Sequence, residues 1–185
     1  MQQQLLAHGY LARCGQIIDA SLVQAPVQRN KREDADTVKE GTMPIAWKAH
    51  KRAQKDVDAK WTKKHGKRHF GYKLHASIDK RHKLVCKVII TNAAVSDSVV
   101  FEDLLEPNNT RSANKPISET QKQRNRRIAA PRARVEHVFG AMRHMGGKLV
   151  RCMGIVRATF SLHLKTASYN LQRLVYLKER GIKAF

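Results

Sequence analysis

The order of apolar and polar residues predicts a strand, a basic excursion, a hairpin and then helices. Gln16–Val23 (Gln-Ile-Ile-Asp-Ala-Ser-Leu-Val) is a short β-branched apolar run and reads as a buried strand, interrupted by Asp19. His69–Asp79 alternates strictly: Phe70, Tyr72, Leu74, Ala76 and Ile78 share one face, and His69, Gly71, Lys73, His75 and Ser77 the other. Lys83–Ala93 carries Leu84, Cys86, Val88 and Ile90 at the same period, so Asp79-Lys80-Arg81-His82 becomes the turn of a hairpin. The period switches to that of a helix in four places. A short helix is predicted over Met1–Arg13, stopped by Gly15, and another over Val99–Leu105, capped by Ser98. A long helix is predicted from Ser118 to about Met145, kinked or broken by Pro131 and ended by Gly146-Gly147. The last spans roughly Thr159–Arg180. Its stripe of Phe160, Leu164, Ala167, Leu171, Leu174 and Val175 is expected to pack on the sheet.

Gln24 to Lys67 has no comparable period. It is charge-rich, contains Pro26 and Pro44, and reads as a mobile basic excursion with at most a short helix near Ala46–Asp58. The segment is as well explained by a solvated linker as by a DNA contact.

Charge adds the next layer. At 185 residues the chain can hold one domain with a core, and 36 Lys/Arg against 15 Asp/Glu give a net charge of +21. That excess points to a polyanion, and nucleic acid is the usual one. A membrane partner is disfavoured, because no apolar run is long enough to span a bilayer and no signal-peptide pattern opens the chain. Cys14, Cys86 and Cys152 are far apart and lack zinc-finger spacing, which suits reduced thiols in the cytoplasm.

Against this background the acids stand out. Glu136 is the only acidic residue between Glu119 and Glu179, with Arg132 four residues before it and Arg143 seven after. Helical spacing puts the three on one face. Such a carboxylate is either an ion-pair partner or a metal ligand at a phosphate-handling site. Asp19, inside an apolar strand, is costly unless it is paired or binds metal.

Four stretches make the pattern specific. They are Gly-Gln-Ile-Ile-Asp-Ala-Ser-Leu-Val (15–23), Trp-Thr-Lys-Lys-His-Gly-Lys-Arg-His-Phe-Gly-Tyr-Lys-Leu-His (61–75) and Thr-Asn-Ala-Ala-Val-Ser-Asp-Ser (91–98). The fourth is Pro-Ile-Ser-Glu-Thr-Gln-Lys-Gln-Arg-Asn-Arg (116–126), running on to Arg-Val-Glu-His-Val-Phe-Gly (134–140). Together they resemble the DDE transposases of bacterial insertion sequences, of the insertion-sequence family four/five type. The resemblance covers essentially the whole chain.

It implies an α/β fold: an RNase H-like catalytic domain over 1–185, with central antiparallel strands packed by late helices and a basic insertion at 24–67. It implies an Asp-Asp-Glu triad holding two Mg²⁺, with Asp19 as first carboxylate and Glu136 as third. Arg132 matches the arginine of the family signature, whose tyrosine and lysine positions fall on Ala129 and Arg143. The second Asp has no counterpart. Asn108-Asn109-Thr110 runs almost directly into Arg111–Pro116, where a strand, its Asp, a helix and a further strand are expected, roughly thirty residues. The family's N-terminal helical domain is also expected to be absent. The reading is therefore a truncated, internally deleted transposase, catalytically defective and reduced to a three-stranded remnant of marginal stability.

DNA, in the form of insertion-sequence ends, is the implied partner. A nucleoid-associated cytoplasmic location and a homo-oligomer or assembly with intact transposase follow from the same resemblance. The expected DNA contacts are Lys63, Lys64, Lys67, Arg68, Lys73, Arg124, Arg126, Arg127, Arg132, Arg134 and Arg143, forming one surface that flanks Asp19 and Glu136. The alternative is a non-catalytic DNA-binding fragment that competes with intact transposase. A ribosomal or other RNA-binding protein fits the charge and leaves the four stretches unexplained.

Other candidates have plainer readings. Asp79 is a turn residue, Asp97 serves capping or local structure before a helix, and Asp103 is part of an exposed helix face. His65, His69 and His75 either contact phosphate or are solvated. Trp61 is core or a stacking platform. Gly146-Gly147-Lys148 lacks the rest of a phosphate loop and ends a helix.

Overall fold

In the computed structural model, residues 2–10, 15–105 and 134–182 are described. Their elements run α1 (Gln2–Ala7), β1 (Gln16–Gln24), α2 (Arg32–Lys39), α3 (Ala49–Ala53), β2 (Lys60–Lys64), β3 (Lys67–Asp79), β4 (Val85–Asn92) and α4 (Phe101–Leu104). A helix over 134–144, α5, and α6 (Ile155–Glu179) complete the series.

The antiparallel sheet has four strands, not three, and β3 is its centre. β1 pairs along Gly71–Asp79, β4 along Tyr72–Ile78, and β2 along Lys67–Gly71. Gly71 allows β1 its close approach. With φ 148°, it stands where an added Cβ would lie 2.2 Å from the Val23 carbonyl oxygen. The predicted core face of β3 is the observed one: Phe70, Tyr72, Leu74, Ala76 and Ile78 are buried together with Val23. Onto this face α5 lays Val135, Val138, Phe139 and Met142, and α6 lays Ala158, Leu162 and Tyr169. The i, i+3, i+4, i+7 spacing on α5 is that of one helix stripe.

Three expectations are corrected here. First, β4 does not alternate throughout. A bulge between Ser77 and Ile78 shifts the register, so that Ile78 faces Val85 while Ser77 faces Lys87. Val85 thereby joins the main core, and Leu84 and Cys86 join a smaller cluster with Leu5 and Leu177. Second, α6 packs by a different stripe. Ala158, Leu162, Thr166, Tyr169, Asn170 and Leu177 are buried, whereas Phe160, Leu164, Leu171 and Val175 are exposed. The helix also starts a turn earlier than predicted. Gly154 (φ 89°) turns the chain, and the Asp58 carboxylate accepts the Ile155 N–H at 2.8 Å.

Third, the basic excursion holds two short helices and β2. Lys64 and Lys67 close that hairpin around His65-Gly66, both at positive φ (49° and 77°), the backbone a two-residue hairpin turn demands. The segment is tied to the sheet at buried Asp56. Its carboxylate accepts the Tyr72 hydroxyl at 2.6 Å and the N–H groups of Asp58 and Ala59 at 3.1 Å. Burial first, and this carboxylate second, push the Tyr72 phenol well above its ordinary range. In the same segment Trp47 is buried, donating to Asp34 at 2.8 Å with Lys51 over its ring.

The smaller helices also shift. α1 ends at Ala7, and α4 begins at Phe101 after an uncapped Val100, while the Ser98 hydroxyl meets that of Ser96. The predicted helix from Ser118 is seen only in its last part, α5; residues 106–133 lie outside the described region.

Candidate functional site

Strand alternation decides where Asp19 stands. Ile17, Asp19, Ser21 and Val23 face Ile78, Ala76, Leu74 and Tyr72 across β1 and β3, so Asp19 belongs to the core face of the sheet. It is half-buried there, and one carboxylate oxygen accepts the Ala20 N–H at 2.8 Å. It lies three residues from the Gln16–Asp79 end of the pairing.

α5 crosses the same face, and its first described residue is fixed at the same end of the sheet. The Arg134 guanidinium donates to the Lys80 carbonyl at 2.9 Å. Glu136 is exposed one residue on from buried Val135, beside the helix stripe that packs on the sheet. Its neighbour His137 has its pKa lowered, chiefly by the Lys83 charge and then by burial and Arg173. The α5 end is thus electropositive. Two carboxylates therefore share one sheet face and one sheet end. Among the described residues neither of them forms an ion pair, in a chain with 36 Lys/Arg. Also among the described residues, no three His, Cys, Asp or Glu side chains gather as a group able to hold a metal ion.

The cations divide differently from expectation. Lys63, Lys64, Lys67 and Arg68 are exposed around the β2–β3 turn. Arg134 sits at the other end of β3, twelve residues away, a span of about 40 Å for a strand. One continuous surface around Asp19 and Glu136 is therefore not formed by these residues. Lys73 lies on the sheet face opposite Asp19 and is committed, donating to the Val95 carbonyl at 2.6 Å and pairing with Asp97 at 3.1 Å. It borders a 190 Å³ cavity with Lys63, Lys64 and Asp97. Arg143 is exposed near the end of α5. Arg124, Arg126, Arg127 and Arg132 lie outside the described residues.

Buried His75 cannot reach a phosphate. Its ring meets the Thr91 hydroxyl at 2.9 Å, and burial lowers its pKa against the opposing pull of Asp97. Asp97 serves local structure, as the ion-pair partner of Lys73. Asp79 is buried in its turn, its carboxylate accepting the Arg81 N–H at 3.0 Å and the His82 N–H. Trp61 is exposed on β2 and tilted against Phe70 at 5.2 Å.

The family model described as transposase DDE domain matches residues 11–111 and 108–171. The chain belongs to this family. The match comes in two pieces that meet at 108–111, where the sequence places the missing segment. A transposase for insertion sequence element IS1106 from Neisseria meningitidis serogroup B is 27% identical over 84% of this chain. The chain spans 63% of that relative's length. That alignment runs over 188 positions, whereas 84% of 185 residues is about 155, so about thirty of its positions have no residue of this chain opposite them. No solved structure matches. No helix among the described residues is long and apolar enough to cross a membrane.

Sequence reasoning missed the residues that assemble this end of the sheet. From α6, Tyr169 donates to the Lys83 carbonyl at 2.8 Å and Arg173 to the His82 carbonyl at 2.7 Å, clamping the turn on which Arg134 rests. The available signal was a Tyr, an Asn and an Arg at i, i+1 and i+4 in a helix otherwise rich in apolar residues.

Proposed function

We propose that the chain is an RNase H-like transposase domain lacking the segment that carries the second catalytic Asp. It binds DNA through its basic surfaces and cleaves strands very weakly or not at all. Asp19 is the first triad carboxylate and Glu136 the third. The observation that carries the reading is the interruption at 108–111, joined to the deficit of about thirty aligned positions against the IS1106 relative. A strand and helix of that size are what a parallel crossover needs.

Both remaining carboxylates are hard oxygen donors of the kind Mg²⁺ takes. In number they fall short of what two metal ions require, so no catalytic step is assigned to a metal here. DNA bound without turnover makes the chain a competitor of intact transposase for element ends. The test is a magnesium-dependent nicking assay beside a salt-dependent binding assay, both on DNA carrying the element's ends. Binding without nicking is expected. Robust cleavage that Asp19→Ala abolishes would overturn the proposal.

A further inference from the structure

A groove of about 550 Å³ opens between the first half of α6 and the connection that leads into it from α5. Sites for small organic ligands run from about 300 to 1,000 Å³. Its walls are apolar at Leu149 and Phe160 and cationic at Arg151, Arg157 and Lys165, and no acidic residue among those described lines it. We infer that this groove takes one unpaired nucleotide of a DNA strand, its base against Phe160 and its phosphates on Arg151 and Arg157.

The groove is built by backbone bonding. On α6, Arg157, Phe160 and Ser161 share a face at i, i+3 and i+4, and Lys165 follows one turn on. The Lys165 ammonium donates to the carbonyls of Gly146 (2.6 Å) and Leu149 (3.2 Å), which ties the two walls together. The wall facing α6 is strapped to β1. Gln24 donates to the Lys148 carbonyl and accepts the Val150 N–H, both at 2.9 Å. The shape therefore exists before a ligand arrives, and binding costs little in ordering.

The chemistry fits a nucleotide in both halves. Phe160 is 72% exposed and Leu149 43%, so a ring face and an apolar flank are open to a flat ligand. Arg151 and Arg157 are exposed, and among the described residues neither forms an ion pair. Their planar forks suit bidentate contact with phosphate. An aromatic ring beside such cations is how single strands are held. Inside a duplex both faces of a base are already stacked, so the ring engages only an unpaired one. The groove lies at the C-terminal end of α5. Gly146 is ten residues past Glu136, about 15 Å along the helix axis, with Arg143 between them. Neither Arg151 nor Arg157 belongs to the cations that the sequence assigns to DNA.

This inference rests on DNA being the partner. It is tested by fluorescence anisotropy on the full chain with three probes: an oligothymidylate of about ten residues, the same strand made abasic, and a duplex. Thymidylate should bind about tenfold more tightly than the abasic strand. Phe160→Ala and Phe160→Leu should both abolish that difference and leave duplex binding and the thermal transition unchanged, whereas Phe160→Trp should keep it. Arg157→Gln should lower the single-strand salt slope by about 0.7. Equal affinity for the two strands would overturn the inference while leaving duplex binding, and so the proposed function, intact. A base preference that survives Phe160→Ala and is lost in Trp61→Ala would do the same. Displacement of the strand by equimolar thymidine monophosphate would make the groove a site for free nucleotides and also overturn it. Absence of binding to all three probes would overturn both this inference and the proposed function.

Discussion

The Asn170 side-chain amide pairs with the backbone of Val85 on both sides, its oxygen accepting the Val85 N–H at 2.9 Å and its nitrogen donating to the Val85 carbonyl at 2.8 Å. A helix side chain thus takes the place of a neighbouring strand where the bulge reshapes β4. Asn170→Ala leaves two buried backbone groups unpaired and should cost about 3 kcal/mol. Asn170→Asp keeps only the acceptor and should also destabilise. Chemical denaturation measures both; an Ala variant as stable as the parent would mean that water replaces the amide freely.

The β1–β3 contact rests on a missing side chain. Gly71→Ala drives a methyl group into the Val23 carbonyl and the Ala25 N–H, which the added Cβ would approach to 2.2 and 2.7 Å. The backbone on both sides is fixed by pairing, so relief requires opening the ladder near Gln24. A loss of about 3 kcal/mol or more is expected, read as a lower denaturation midpoint and reduced soluble yield.

What the sequence made legible follows from how each residue is buried. β1 and β3 were readable because one face is apolar at strict period two. The bulge was not, since Leu84, Cys86, Val88 and Ile90 are evenly spaced in sequence while the inserted residue exists only in the pairing. In α6 the inward stripe includes Thr166, Tyr169 and Asn170, whose polar atoms are satisfied by the Leu162 carbonyl, the Lys83 carbonyl in the β3–β4 turn and the Val85 backbone of β4. The outward stripe is the more apolar, so hydrophobicity alone selects the wrong face. β2 was hidden because Lys60–Lys64 is largely exposed and lysine-rich, its strand character set by pairing with β3. Asp19 and Glu136 were readable as residues, whereas their shared sheet end depends on the Arg134–Lys80 contact.

Stability should depend on pH through His75. Its folded pKa lies below the ordinary 6.5, because burial disfavours the cation and nearby Lys73 adds to this against Asp97. Above pH 6.5 both folded and unfolded forms are neutral and the full stability is present. As pH falls below 6.5 the unfolded chain takes up a proton first, so stability drops until the folded pKa is passed. His75→Gln should flatten the melting temperature across that window; an unchanged slope would assign it to other groups.

DNA binding should separate into two ends. Replacing Lys64, Lys67 and Arg68 together by Ala removes exposed charges at the β2–β3 turn and should lower the log–log salt slope by about 3. Arg134→Ala, at the other end of β3, should reduce the slope by about 1 and also weaken the Lys80 contact that seats α5. Arg180, at the far end of α6, should be silent. Equal losses at all three places would mean diffuse attraction with no defined surface.

The last prediction separates a metal-binding role for the two carboxylates from a structural one. Asp19 is half-buried on the core face and Glu136 exposed, and among the described residues neither has a cationic partner. A carboxylate held for structure loses stability when neutralised, because its partner is left unpaired. One held for metal loses nothing in the metal-free protein, since its charge only adds desolvation cost. Asp19→Asn keeps the shape and the oxygen that accepts the Ala20 N–H, so its melting temperature should stay within about 2 °C of the parent or rise. Glu136→Gln should behave alike. Any gain in stability or DNA affinity that Mg²⁺ gives the parent should vanish in both. A fall of about 6 °C in metal-free buffer, on the order of 2 kcal/mol for a chain of this length, would instead make Asp19 a structural residue and remove it from the proposed site.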